Sequence, residues 1–328
     1  MTNDLRGRTG WIISDGKAGN IVQMRGVFDA LGLDYVEKPV DPQGLHRLLA
    51  PWIGVARSEH FAEPGISAFA PPFPDFAISA GRLTVPYIRA LKRLAGAKTF
   101  TIILQDPKVP LRTADLFCVP EHDSLRGQNV ITTLTAPHGY SPSRLARLKE
   151  VLPAEIAALP KPRVAVMLGG SNGDYAYTPA ALDRLSCALR CLSRLGAGLM
   201  ITPSRRTEPA IVDCVRAAIS GRPAFLWDMQ GENPYPSFLA HADFFLSPAD
   251  SVNMTGEPCV TGKPVYVFYP DGGSAKFRRF HTSLERYGAT RRLPLEPDRL
   301  EIWTYPALNS AQFLAAEIAR RCRLAGAT

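Results

Sequence analysis

The chain has 328 residues, 46% of them hydrophobic and 21% charged, with a formal net charge of +8. That length exceeds one ordinary hydrophobic core and predicts two domains, while the composition excludes a disordered or low-complexity chain. No run of about 18 apolar residues exists to span a membrane, the opening MTNDLRGRTGWIIS lacks a signal-peptide core, and no nucleic-acid-binding signature is found.

The first predicted strand is GWIIS, ending at Ser14, followed by the loop DGKAGN and a helix from about Ile21 to Leu31 that closes on Gly32. The unit then repeats: DFAIS leads through AGRL into the helix VPYIRALKRLAG, FTIIL runs into QDPKVP, and ADLFCV runs into PEHDSL. Strand, loop and helix in succession predict a parallel, doubly wound sheet. Residues 135–162, rich in proline, read as a linker. The pattern restarts with the strand RVAVMLGG, the helix TPAALDRLSCALRCLSRLG closing on Gly196, the strand AGLMIT, the helix EPAIVDCVRAAI and the strand AFLWD. YPSFLAHA reads as a short helix, DFFLS and PVYVF as strands, and NSAQFLAAEIARRCRL as an amphipathic helix capped by Asn309 or Ser310. The predicted domains are residues 1–155 and 160–305, each Rossmann-like, with a terminal helix over 306–328 placed to pack back on the first domain. The six cysteines, Cys118, Cys187, Cys191, Cys214, Cys259 and Cys322, form no C-x-x-C pair, which fits free thiols in a reducing cytosol.

Ligands of open parallel sheets sit beyond the carboxyl ends of the strands. In LGGSNGDY the glycines Gly169, Gly170 and Gly173 allow close backbone approach, and with Ser171 and Asn172 they suit an anion, though a tight turn asks for the same glycines. TPSRRT places Ser204, Arg205 and Arg206 at a strand end, where two guanidiniums suit phosphate or carboxylate. In SPADSVNMTGEP either Asp250 or Ser251 caps a helix, Asn253 and Glu257 share its face, and Ser251 and Glu257 lie roughly 9 Å apart along the axis. A diphosphate at Ser251 with a ribose at Glu257 would match that spacing. The later Gly262–Lys263 is not a P-loop, because Pro264 stands where a Ser or Thr would hold magnesium.

These motifs carry a resemblance. ISDGKAGN (13–20), LGGSN (168–172), TPSRRT (202–207), NPYPSFLAHAD (233–243) and the run from Asp250 through Glu257 to TGKPVYV are together similar to the Elm-type mitochondrial-fission family and its bacterial relatives. More distantly they resemble the N-acetylglucosaminyltransferase that makes lipid II. The resemblance implies a GT-B-like α/β fold, two doubly wound parallel-sheet domains facing across a cleft, with a nucleotide-diphosphate-sugar held by the second domain as donor rather than as a cofactor. In the lipid II enzyme the first loop carries a histidine where this chain has Asp15 and Lys17, and its paired glutamines fall on Lys276 and Phe277.

The chemistry this implies is sugar transfer to an acceptor, a cell-envelope glycan or lipid-linked molecule among the candidates. Asp15 is the first candidate base, with Asp106 and Glu121 also at predicted strand ends; Lys17, Arg205 and Arg206 are candidates to stabilise the leaving diphosphate. No Asp-x-Asp occurs, so metal independence is expected. Epimerisation or hydrolysis of a nucleotide-sugar, and a non-catalytic nucleotide-binding scaffold, are the alternatives. The basic run KFRRFHTSLERYGATRR, Lys276–Arg292, suits phosphate-bearing partners, and a cytoplasmic protein touching the inner face of an anionic membrane is one expectation.

Overall fold

The computed structural model describes Leu5 and residues 7–56, 59, 61 and 67–326. The chain divides into two compact units, one formed by Met1–Gly139 with Asn309–Thr328 and the other by Tyr140–Leu308.

The first unit contains strands β1 (Thr9–Ser14), β2 (Asp34–Pro39), β3 (Phe76–Ala80), β4 (Phe100–Leu104), β5 (Leu116–Pro120) and β6 (Val130–Thr133). Its helices are α1 (Ala18–Leu31), α2 (Gly44–Leu49) and α3 (Val85–Ala95). The strands pair in parallel in the order β2-β1-β3-β4-β5-β6. Both faces of this sheet are covered, so β1 reads as an unbroken apolar run instead of alternating. Ile12 points into one layer with Met24, Val27 and Phe28 of α1; Trp11 and Ile13 point into the other with Val85, Ile88 and Leu91 of α3. Each such side chain contributes about 1.5–3 kcal/mol by burial. Gly32 ends α1 at φ 70°, a left-handed conformation that a side chain would strain, with its N–H donating to Asp29 O and that of Leu33 to Phe28 O.

The second unit begins with α4 (Pro142–Lys149) and α5 (Ala154–Ala157). Then come β7 (Arg163–Leu168), β8 (Tyr175–Ala176), α6 (Pro179–Arg194), β9 (Gly198–Pro203), α7 (Pro209–Ile219), β10 (Ala224–Leu226) and α8 (Tyr235–His241). They are followed by β11 (Phe244–Pro248), α9 (Val252–Gly256), β12 (Val265–Phe268), β13 (Asp271–Gly272), α10 (Ala275–Tyr287) and β14 (Thr290–Arg292). The main sheet is again parallel, in the order β10-β9-β7-β11-β12-β14, and β8 and β13 form a small antiparallel ribbon.

The last helix, α11 (Ser310–Gly326), returns to the first unit. Its Leu314, Ala315 and Ile318 lie in the same apolar layer as α1, which it packs against. Asn309 caps it, its side-chain oxygen accepting from Gln312 N at 3.1 Å. Ser310 and Thr135 hydroxyls meet at 2.7 Å beneath it.

Residues 140–155, read from the sequence as the end of the first domain, belong to the second unit. The reason is α4, which docks on α8: the His241 ring nitrogen Nε2 reaches the carbonyls of Leu148 at 3.2 Å and Val151 at 2.9 Å. Five strands were not anticipated: the polar edge strand β2, the short edge strands β6 and β14, and the two-residue ribbon strands β8 and β13.

Candidate functional site

A doubly wound sheet has a switch point, where the strand order reverses and the loops on either side splay apart to leave a crevice. In the second unit the order runs from β7 outward to β9 and β10, then restarts at β11, so the switch lies between β7 and β11. LGGSNGDY follows β7, and SPADSVN leaves β11.

One carboxylate ties these loops together. Asp250 has a fully buried side chain. Its Oδ2 accepts from Gly170 N at 3.2 Å and from the Arg206 guanidinium at 3.0 Å, and its Oδ1 accepts from the Tyr177 hydroxyl at 2.9 Å. The Asn172 amide donates to the Asp250 carbonyl at 3.1 Å. The glycines follow from this packing: a Cβ on Gly169 would sit 2.0 Å from Asp250 Oδ1, and one on Gly170 would sit 2.0 Å from the Arg206 carbonyl. The loops after β7, β9 and β11 are therefore interlocked.

Several residues expected to meet a ligand are instead committed to this lock. Asp250 is one, its oxygens already holding three donors. Asn172 Oδ1 accepts from Asp174 N and Tyr175 N, at 2.8 and 2.9 Å. Ser171 accepts from Tyr177 N at 3.1 Å and gives its own N–H to Glu208 Oε1 at 2.9 Å. Ser204 exchanges hydrogen bonds with Thr207, at 2.8 Å through its N–H and 3.0 Å through its hydroxyl. Gly169 and Gly170 make room for neighbouring protein atoms, while Gly173 has open space where a Cβ would stand.

What stays open is a smaller set. Arg205 is exposed and, among the described residues, has no hydrogen bond or ion pair. Arg206 keeps 45% of its side chain exposed while it holds Asp250. Ser251 caps α9, its hydroxyl accepting from Met254 N at 3.3 Å. The helix expected from Ser251 onward is one α-turn that tightens into a 3₁₀ turn over Glu257–Thr261, with Pro258 limiting its extension. Asn253 and Glu257 still meet, through the Glu257 N–H donating to Asn253 O.

Glu257 is only partly accessible, and burial pushes its carboxyl up to about 7. The Tyr235 hydroxyl lies buried beside it without a formed hydrogen bond and tempers that rise. Tyr140 packs edge-on against Tyr235, ring centroids 6.0 Å apart. The roles of Tyr235, Tyr140 and Tyr177 were missed; Tyr235 stands inside the motif NPYPSFLAHAD, the one signal that could have drawn notice to it.

The first unit has its own switch point, between β1 and β3. Asp15 lies there just past β1, its side chain 1% exposed and its Oδ2 accepting from Lys17 Nζ at 2.7 Å. Its Oδ1 is buried with no hydrogen-bond partner among the described residues. Gly81, just past β3, has φ 93°, and a Cβ there would stand 3.3 Å from Asp15 Oδ2. Gln105, just past β4, donates to Asn20 Oδ1 of α1 at 3.0 Å and is itself held at φ 69°. Left-handed backbone at a non-glycine costs about 1–2 kcal/mol and clusters at functional sites. Asp106 is likewise buried and paired with Lys108 at 2.5 Å, whereas Glu121 is exposed.

The chain matches the family described as mitochondrial fission ELM1 over residues 18–322, and it belongs to that family. It is 29% identical over 277 residues to "Mitochondrial fission protein ELM1" of Arabidopsis thaliana, a match covering 77% of this chain and 65% of the plant protein. The chain thus spans just under two thirds of that relative. It is 24% identical over 344 residues to the uncharacterized protein RP120 of Rickettsia prowazekii (strain Madrid E), covering 93% of this chain and 96% of that one. Among solved structures, UDP-GlcNAc 2-epimerase from Methanocaldococcus jannaschii aligns with a TM-score of 0.52 at 10% identity, covering 95% of this chain and 99% of that chain. At that identity the shared property is the GT-B-like fold of two parallel-sheet α/β units. Among the described residues, no helix is long and apolar enough to cross a membrane.

Proposed function

We propose that this member of the mitochondrial fission ELM1 family is a glycosyltransferase that binds a nucleotide-diphosphate-sugar at the switch point of its second unit. The observation that carries the reading is the Asp250 interlock, which preorganises three strand-end loops, with Arg205 exposed and Arg206 45% exposed on one of them and Ser251 capping α9 on another. Guanidiniums so placed suit a diphosphate, and Glu257 accepts from ribose hydroxyls when ionised. The fold shared with a nucleotide-sugar epimerase supports the same ligand class.

In the proposed reaction an acceptor hydroxyl attacks the anomeric carbon of the donor. The new glycosidic C–O bond forms as the bond to the diphosphate breaks. The hydroxyl proton passes to a carboxylate, for which Asp15 is the candidate, and the diphosphate leaves with its charge held by arginine. Lys17 pairs with the Asp15 carboxylate oxygen Oδ2 at 2.7 Å. A glycan or lipid-linked acceptor fits this chemistry, and the grip on the donor requires no metal.

Calorimetric titration with UDP, GDP, CMP and dTDP in metal-free buffer tests the donor site. One nucleotide should bind the wild type and lose about tenfold in affinity in Arg205→Ala, the effect of one charge-assisted contact. Failure of all four removes the proposal. Asp15→Asn should abolish transfer and leave nucleotide affinity unchanged; retained turnover removes Asp15 as the base. The second reading is binding without turnover, favoured by the plant relative's name, which specifies no reaction. Product formation with any acceptor rules it out.

A further inference from the structure

The densest basic stretch of the sequence is not absorbed by the nucleotide site. It folds into α10 and β14, and between them lies a surface cavity of about 560 Å³. Arg278, His281 and Glu285 of α10 and Thr290, Arg291 and Arg292 of β14 line it. That volume lies within the range of small-molecule sites.

Three guanidiniums converge there against one lining carboxylate. Arg291 is neutralised by Glu301 and lies over the Trp303 ring at 4.3 Å. Arg292 lies over the Tyr269 ring at 5.0 Å. Neither Arg278 nor Arg292 has a carboxylate partner among the described residues. Glu285 is engaged by the Tyr269 hydroxyl at 3.3 Å. Two guanidiniums without ion pairs thus share one cavity with a single carboxylate, a net positive lining that suits an anion able to accept from both.

The lining also carries unmet polar groups. His281 Nδ1 and Thr290 Oγ1 are buried with no hydrogen-bond partner among the described residues. His281 Nε2 stands 2.9 Å from the Ala249 carbonyl, and a carbonyl only accepts, so Nε2 carries the ring proton. In the neutral ring Nδ1 is then an acceptor in want of a donor, and burial lowers the pKa of His281 and keeps it neutral. Buried polar atoms without partners are rare and costly, which points to a group that is absent from the chain itself. A fully ionised phosphate monoester supplies no donor to such a nitrogen; an alcohol hydroxyl does.

We infer that this cavity binds a phosphorylated polyol: a phosphate monoester held by Arg278 and Arg292, carried on a carbon chain whose hydroxyls donate to His281 Nδ1 and Glu285. The lining residues are none of those assigned to the nucleotide, and the inference does not rest on that assignment. The ligand has two sources, a free sugar or polyol phosphate or the headgroup of a phosphorylated lipid.

The test uses the full chain, with glycerol phosphate, inorganic phosphate and glycerol as calorimetric probes. Phosphatidylcholine vesicles with and without phosphatidylinositol phosphate form the second arm. The exposed arginines allow Arg278→Gln and Arg292→Gln to be made without disturbing the core, which unchanged thermal melts would confirm. Glycerol phosphate should bind saturably and more tightly than inorganic phosphate, glycerol should not bind, and each variant should lose about tenfold in affinity. Binding confined to the phosphoinositide vesicles and lost in both variants also supports the site and assigns it to a lipid headgroup. Equal binding by wild type and variants, or none in either arm, overturns it. UDP binding should be the same in both variants; a parallel loss of UDP affinity would merge the cavity with the nucleotide site and overturn the inference. Should UDP fail to bind any form, the cavity still stands or falls on the two arginine variants.

Discussion

At the residue scale, Glu257 and Asp250 show how two carboxyl groups take opposite roles a few positions apart. Burial beside Tyr235 raises Glu257 to about 7, while Asp250 is encircled by donors. A carboxyl raised in the folded state holds its proton there longer than in the unfolded chain. Its contribution to stability is full below the unfolded value of 4.5 and is lost as pH rises through about 7. Glu257→Gln should therefore gain on the wild type in urea unfolding at pH 8 relative to pH 5. The same ionisation governs binding if ribose hydroxyls donate to it. From pH 6 to 8 the ionised fraction climbs from about a tenth to about nine-tenths, so affinity for UDP should rise roughly tenfold more in the wild type than in Glu257→Gln. UDP's terminal phosphate titrates in this window too, and the variant cancels that contribution; identical pH profiles would remove Glu257 from the ligand. Asp250→Asn tests the other role. The substitution keeps the shape but turns one acceptor into a donor facing donors. It should cost about 2 kcal/mol, a fall of roughly 4–8 °C in the melting of the second unit. An unchanged melt would mean that the lock is not formed.

At the element scale, what joins β7, β9 and β11 is three strand-end loops pressed together, and the glycines record where they touch. Gly170→Ala would drive a Cβ to 2.0 Å from the Arg206 carbonyl, backbone against backbone, and should cost about 3 kcal/mol or more. Gly173→Ala, with open space at its Cβ, should change stability by less than about 0.5 kcal/mol. Chemical denaturation of the two variants separates them, and equal losses would refute the packing. The motif LGGSNG was legible as a strand-end loop, and so was its use of glycine. The reason for the glycines was not, because the atoms they avoid belong to Asp250 and Arg206, far along the chain. The same distance hid Asp250: an acid before a capping serine looks like a ligand contact until Tyr177 and Arg206 are seen around it. Strands buried on both faces, such as GWIIS and DFFLS, could be read because apolar runs need no partner to be recognised. DYVEKP could not, since an edge strand exposed to solvent keeps its charges.

At the scale of the whole molecule, the chain leaves its first unit at residue 139 and re-enters it at residue 309. Two domains in series could be read from the restarting strand-loop-helix pattern. The true boundary was hidden because α4 is assigned by a contact with α8 some 90 residues later, which no local pattern reports. The re-entry has an energetic consequence. Leu314 and Ile318 of α11 are fully buried among Ile12, Val27 and Ile78, so the first unit's core is completed by the last residues of the chain. Leu314→Ala should cost about 3 kcal/mol, the loss of a buried leucine with its cavity. Because α11 lies against α1, the cost should be felt there. Hydrogen exchange should quicken in α1, β1 and β3 and stay unchanged in β7, β9 and β11. Exchange that quickened equally in both sheets would show that α11 supports the whole chain, and the division into two self-contained cores would have to be given up.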